Sequence, residues 1–171
     1  MAIVVREAHP EEFAEAGDVT AAAYAEFVRP EDADWKAYVE ELRDVERRAG
    51  RAVVLLAIDD VRTDTRERIL GTLTLELSTR IDEDSPPLPD DAAHIRMLGV
   101  LPEARRLGVA RALMQDAERR AHDAGKRRLT LHTTERMKAA QAMYGSLGLS
   151  RAPDRVFPDG FVLLGYERSL D

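Results

Sequence analysis

The chain contains no cysteine among its 171 residues. That excludes disulfides, a thiol nucleophile and thiolate metal sites. Histidine is scarce as well. His9, His94, His122 and His132 show no paired spacing such as HxxxH, so no metal site is expected. No apolar run approaches the roughly 20 residues that span a bilayer, so no membrane partner is expected. The opening MAIVVREAHPEE turns charged too early for a signal peptide, and a cytoplasmic location follows as the expectation. Basic charge is in deficit: 25 Lys and Arg face 32 Asp and Glu, a net charge of −7. That balance argues against a nucleic-acid partner, which needs a basic face. Two common phosphate signatures are missing. Without GxxxxGK[ST] the chain is not a nucleotide-hydrolysing P-loop protein, and without GxGxxG after a strand a dinucleotide fold is not expected.

What is present is a globular composition, 44% hydrophobic and 33% charged. It fits one domain over residues 1–171 with a real core. Strand patterns fall at 2–8, 51–60, 69–77, 92–100, 127–133 and 161–170. The pair within 51–77 reads as a hairpin. Helical patterns fall at 9–27, 34–50, 107–125 and 136–148, with Gly50 and Gly148 placed as closing glycines. Residues 78–91 form a Pro- and Asp-rich loop. The order β-α-α-β-β-β-α-β-α-β predicts an α/β (α+β sandwich) fold.

One detail of this pattern is electrostatically odd. The segment VLPEARRLGVARALMQDAERRA places Ala110, Leu113, Met114, Ala117 and Ala121 on one helical stripe, yet Arg105, Arg106 and Arg111 crowd its start. Cations at a helix N-terminus are disfavoured by about 0.3–1 kcal/mol each. They make sense there if an anion docks on the free backbone N–H groups, with Gly108 letting the backbone approach closely. Arginine adds forked, permanently charged donors suited to phosphate. The alternative is plain surface arginines paired with Glu103 or Asp116.

The spacing Val100, Pro102, Arg105, Gly108, Ala110 fills V-x-P-x-x-[RQ]-x-x-G-x-[GA], and here the chain resembles the GNAT superfamily of acyl-CoA-dependent N-acetyltransferases. A second segment is similar to the family's later motif, A-x-x-[LM]-Y-x-x-x-G-[FL], through Ala140, Met143, Tyr144, Gly148 and Leu149. The resemblance implies a GNAT-like fold, a mixed and mostly antiparallel central sheet flanked by helices. It implies acetyl-CoA as cosubstrate, with the pyrophosphate on the backbone amides of Arg106, Leu107, Gly108, Val109, Ala110 and Arg111, preceded by the motif's Arg105. It also implies that Leu98 and Val100 bond the pantetheine arm through their main chain. Two departures stand out. Arg106 replaces a frequent glycine, and Met137, which can only pack, replaces a frequent coenzyme-bonding asparagine.

The implied activity is acetyl transfer to a primary amine of a small molecule or peptide by direct attack in a ternary complex. The alternative is a non-catalytic acyl-CoA-binding sensor or interaction module. Family members often dimerise, so a homodimer is possible. Amide formation from a thioester needs a neutral amine, a stabilised carbonyl oxygen and a stabilised departing thiolate. The resemblance gives the last role to Tyr144. The resemblance also implies an oxyanion donor in a backbone N–H near Leu98 to Val100, where Gly99 suits a bulge or a close backbone approach. His94 and Glu76 are the candidate bases, with His94 equally readable as a strand-edge histidine and His132 as structural. Asp82, Glu83, Asp84, Asp90 and Asp91 read as a solvated loop or as an attractor for a cationic amine.

Overall fold

A computed structural model describes residues 1–31, 34–60, 67–80 and 85–171. Its strands are β1 (Ile3–Glu7), β2 (Val53–Asp59), β3 (Arg68–Glu76), β4 (Ala92–Val100), β5 (Arg128–Thr133), β6 (Ser150–Val156) and β7 (Val162–Ser169). Its helices are α1 (Phe13–Tyr24), α2 (Trp35–Arg43), α3 (Val45–Ala49), α4 (Val109–Asp123) and α5 (Lys138–Ser146). The strands form one seven-stranded sheet in the order β1-β2-β3-β4-β5-β7-β6. Pairing is antiparallel between β1 and β2, β2 and β3, β5 and β7, and β6 and β7. It is parallel between β4 and β5. The expected α/β class is what the structure has. The 51–77 hairpin is β2–β3.

Contacts divide the chain into two compact units. The first holds Met1–Leu75 and Met97–Ala117, the second Glu76–Arg96 and Glu118–Asp171. In the first unit Ala16 and Val19 of α1 and Val45 of α3 pack on Val54, Leu56, Ile58 and Ile69 of β2 and β3. Burial of such side chains is the main stabilising term, about 1.5–3 kcal/mol for each large one. Thr20 is the polar exception. Its hydroxyl bonds the Ala16 carbonyl and meets the Thr72 hydroxyl at 2.7 Å, so neither stays orphaned in the core. In the second unit β5 alternates in burial. Leu129, Leu131 and Thr133 face inward and Arg128, Thr130 and His132 lie on the other side.

Two expectations need correction. The helical pattern over 34–50 is two helices, not one. Asp44 breaks it, its carboxylate accepting the Arg47 N–H. The buried Arg48 guanidinium then takes the Glu41 and Leu42 carbonyls at the end of α2. Gly50 closes α3 at φ −67 rather than in the left-handed region. The second correction is β6, a strand the sequence pattern does not announce. SRAPDRV contains Pro153 and charged residues and no alternating apolar face. It survives because it is an edge strand, bulged between Ala152 and Arg155, with its ladder supplied by β7.

Candidate functional site

The loop between β4 and α4 carries the first part of the site. After Val100 the chain makes a 3-10 turn over Pro102–Ala104 and leaves it extended at Arg105. Arg106 and Gly108 both have positive φ, 63° and 88°. For a non-glycine residue such a backbone costs on the order of 1–2 kcal/mol, and such strain collects at ligand sites. The Ala112 N–H donates to the Gly108 carbonyl at 3.0 Å, so Val109, Ala110 and Arg111 fill the first turn of α4. Their N–H groups have no acceptor further back in the helix and point out of its positive end. A Cβ built on Gly108 meets nothing within 4 Å. The space at Gly108 is open, and first-turn helix amides are donors of the kind that suit a pyrophosphate.

The arginines do not all serve that space. Arg105 precedes the helix, and its guanidinium turns back to α1. It donates to the Ala23 carbonyl at 3.2 Å and to the Val100 carbonyl at 3.4 Å, and it pairs with Glu26. The Arg105 side chain is thus engaged with α1 and the end of β4. Neither Glu103 nor Asp116 is its partner, and Glu103 pairs with Arg68. The charge sits where a cation is favoured, at the negative C-terminal end of a helix. Arg106 and Arg111 are exposed at the loop.

The end of β4 supplies an edge. The Leu101 N–H donates to Leu70 of β3 at 2.9 Å. The Val100 carbonyl lies trans across the same peptide and so points the opposite way. The Leu98 carbonyl accepts the Tyr24 hydroxyl at 3.0 Å. Val100 and Leu98, expected to bond a pantetheine arm, thus already hold Arg105 and Tyr24 through one lone pair each. The irregularity expected at Gly99 sits at Met97, whose φ is 51°. Gly99 is instead a close approach: a Cβ there would stand 2.8 Å from that of Ala23. Sequence reasoning missed Tyr24 as a polar contact, because a tyrosine near a helix end reads as core.

The second unit holds Tyr144, His94, Glu76 and Met137. Tyr144 is buried on α5, its ring 5.7 Å from that of Tyr166 at a tilt of 54°. Burial raises its pKa above the ordinary value, with Tyr166 adding to the shift, so the hydroxyl keeps its proton and is available as a donor. His94 is also buried, with Nδ1 2.8 Å from the Thr130 hydroxyl and its ring 5.3 Å from that of His132. Burial, then His132, Arg96 and Arg155, push its pKa down to about 3. The imidazole is therefore neutral at pH 7 and a weak base. Glu76 ends β3 fully buried, a carboxylate oxygen 3.7 Å from Arg96. Met137 caps the start of α5 with no side-chain hydrogen bond. Close by in sequence, the Thr133 and Thr134 hydroxyls are buried with no partner among the described residues. Nothing in the sequence pattern singled these two out, and a bound ligand would satisfy them.

The acidic loop is only partly in view. Asp82, Glu83 and Asp84 lie outside the described residues. Asp91 is engaged by Arg128 at 2.9 Å, which holds its carboxyl below the usual carboxylate range. No helix is long and apolar enough to cross a membrane, and no group of three metal-binding side chains occurs among the described residues.

Known proteins bear on this arrangement. Solved structures share the fold at low identity. One is the PaiA N-acetyltransferase of Thermoplasma acidophilum in complex with coenzyme A, with a TM-score of 0.73, 15% identity and 99% of each chain covered. Another is YncA of Salmonella typhimurium, solved with its cofactor acetyl-CoA, with a TM-score of 0.66, 14% identity, and 100% of this chain and 95% of that one covered. A third is the ribosomal-protein-S18-alanine N-acetyltransferase of Escherichia coli, with a TM-score of 0.65, 16% identity, and 99% and 95% covered. A sequence search of curated proteins finds no match. The family model for the acetyltransferase (GNAT) family matches residues 15–149. That stretch runs from α1 through β4 and the loop after it to the end of α5, and on this ground the chain belongs to the GNAT acetyltransferase family.

Proposed function

We propose that this protein transfers an acetyl group from acetyl-CoA to a primary amine of a small molecule or peptide. The observation that carries the reading is the loop 105–111, with left-handed Gly108 in open space just before the first amides of α4. Those amides, with exposed Arg106 and Arg111 beside them, would hold the pyrophosphate. The outer edge at Leu98 to Val100 would hold the pantetheine arm. Bound acetyl-CoA supplies the activated thioester carbonyl. Tyr144 keeps its proton and offers it to the sulfur as the C–N bond forms and the C–S bond breaks. Glu76, a buried carboxylate beside Arg96, is our candidate to take the proton that the amine gives up. We read both units as one functional domain, acting in the cytoplasm.

The test is calorimetric titration of acetyl-CoA into the wild type and Gly108→Glu, followed by an amine panel scored for coenzyme A release. Binding lost in the variant, with acetyl transfer in the wild type, supports the reading. No binding to the folded wild type overturns it. A second reading, a non-catalytic acyl-CoA sensor, draws on the weak basicity of His94 and the full burial of Glu76. Binding without transfer to any amine would favour it.

A further inference from the structure

The sheet of the second unit has two unlike faces. On one, Tyr166 of β7 meets Tyr144 of α5, and Arg168 bonds Glu118 of α4 and the Leu147 carbonyl after α5. Both helical segments of the unit therefore pack on that face. The register defines the other. Across the parallel pair, His94 stands opposite Thr130, and His132 is two residues further along the same face of β5. His132 pairs with Gly165 of β7, which carries no side chain. Leu163, two residues back on that face, pairs with Arg155 of β6. The bulge at Pro153 and Asp154 makes this possible: it absorbs the extra residue and returns Arg155 to the His132 face.

Arg155 is half-buried, and its guanidinium carbon lies 4.6 Å over the Phe157 ring, which in turn meets Phe161 at 5.8 Å. Among the described residues no carboxylate pairs with Arg155. The nearest in sequence, Asp154, is committed to Arg151 at 2.5 Å and to the Gly165 N–H at 3.0 Å. Arg96, the other cation pressing on His94, is paired with Glu76. The Thr130 hydroxyl donates to the Ala93 carbonyl, so neutral His94 spends its N–H on Thr130. With Glu167 held by Arg128 and Asp154 held by Arg151, the face presents one uncommitted, aromatic-braced guanidinium and, in His132, an imidazole that stays neutral and can donate an N–H. That set is complementary to an oxyanion and repels an ammonium group. His94 lies on β4 itself, four residues before Leu98.

We infer that this face is an acceptor subsite, and that the amine acetylated by the protein carries an anionic group, a carboxylate or a phosphate, which Arg155 and His132 receive. Phe157 and Phe161 at the hairpin tip add an apolar wall beside that group. The inference rests on the acetyltransferase reading for its word acceptor, but not for the site.

The test uses the whole protein with histidine labelled for side-chain NMR. Inorganic phosphate and acetate are titrated at constant ionic strength set with chloride. An amino acid is then compared with its amide, and phosphoethanolamine with ethanolamine. Saturable shifts of His132 with the anionic member of a pair, weaker by about tenfold in Arg155→Gln and partly restored in Arg155→Lys, support the subsite. The pair that responds separates a carboxylate ligand from a phosphate one. No saturable shift with any anion, or the same shift in Arg155→Gln, overturns it. Acetyl-CoA calorimetry on the same samples keeps the two readings apart. Intact coenzyme binding with silent histidines refutes only the subsite, and responsive histidines without coenzyme binding refute only the transferase.

Discussion

Tyr144 and His94 are both buried, and burial acts on them in opposite ways. It holds the tyrosine protonated and the histidine neutral, since each environment disfavours the charged form. Tyr144→Phe removes only the donor. Turnover should fall by about 10- to 100-fold while the acetyl-CoA dissociation constant moves little, as steady-state kinetics and calorimetry together would show. Unchanged turnover would take Tyr144 out of the chemistry. For His94 the prediction concerns stability. Its folded pKa of about 3 lies below the ordinary histidine value, so the unfolded chain binds the extra proton first. Stability is therefore full above about pH 6.5 and declines as pH falls toward 3, by up to about 1.4 kcal/mol per pH unit. His132 is shifted the same way and adds to the slope. Urea unfolding at several pH values should give a shallower acid decline for His94→Gln than for wild type. A parallel decline would contradict the assignment.

At the scale of elements, the last turn of α1 braces the end of β4 and the loop beyond it. Tyr24 bonds the Leu98 carbonyl, Ala23 packs on Gly99, and the Ala23 carbonyl and Glu26 hold Arg105. Tyr24→Phe should cost about 1 kcal/mol and Arg105→Ala about 1–2 kcal/mol in chemical unfolding. Both should raise KM for acetyl-CoA more than they lower kcat, because they loosen the edge and the loop without touching the sulfur. This brace was not legible in the sequence. The motif around Arg105 and Gly108 fixed where the helix begins, and the period of Leu113, Met114 and Ala117 fixed its buried side. Nothing local announces that a guanidinium after β4 will cap a helix near the start of the chain. Edge strand β6 escaped for a related reason: its pairing comes from β7, and its own residues carry no strand pattern. The candidate site, by contrast, was read from the motifs that carry the family resemblance, and of those residues Gly108 has the left-handed backbone that suits a glycine before a helix. What spacing could not supply was their basicity, which depends on burial by distant parts of the chain.

At the scale of the whole molecule, the chain carries a net charge of −7, the same sign as coenzyme A. Charges beyond about 8 Å are largely screened at physiological ionic strength, so Arg106 and Arg111, exposed at the loop, would act on an anion bound there more than carboxylates lying further off. Acetyl-CoA affinity should therefore fall as salt rises from 50 to 500 mM, by several-fold. An affinity that rises with salt would mean that the global charge governs binding. The brace on α1 also has a consequence for how the protein is made. The residues that complete the end of that helix stand 74 and 82 positions further on, at Leu98 and Arg105. At roughly 5–20 residues per second, the ribosome needs about 4–16 s to deliver them after Ala23 has been added. During synthesis the final turn of this helix waits, uncapped, for a strand and loop that follow much later in the chain.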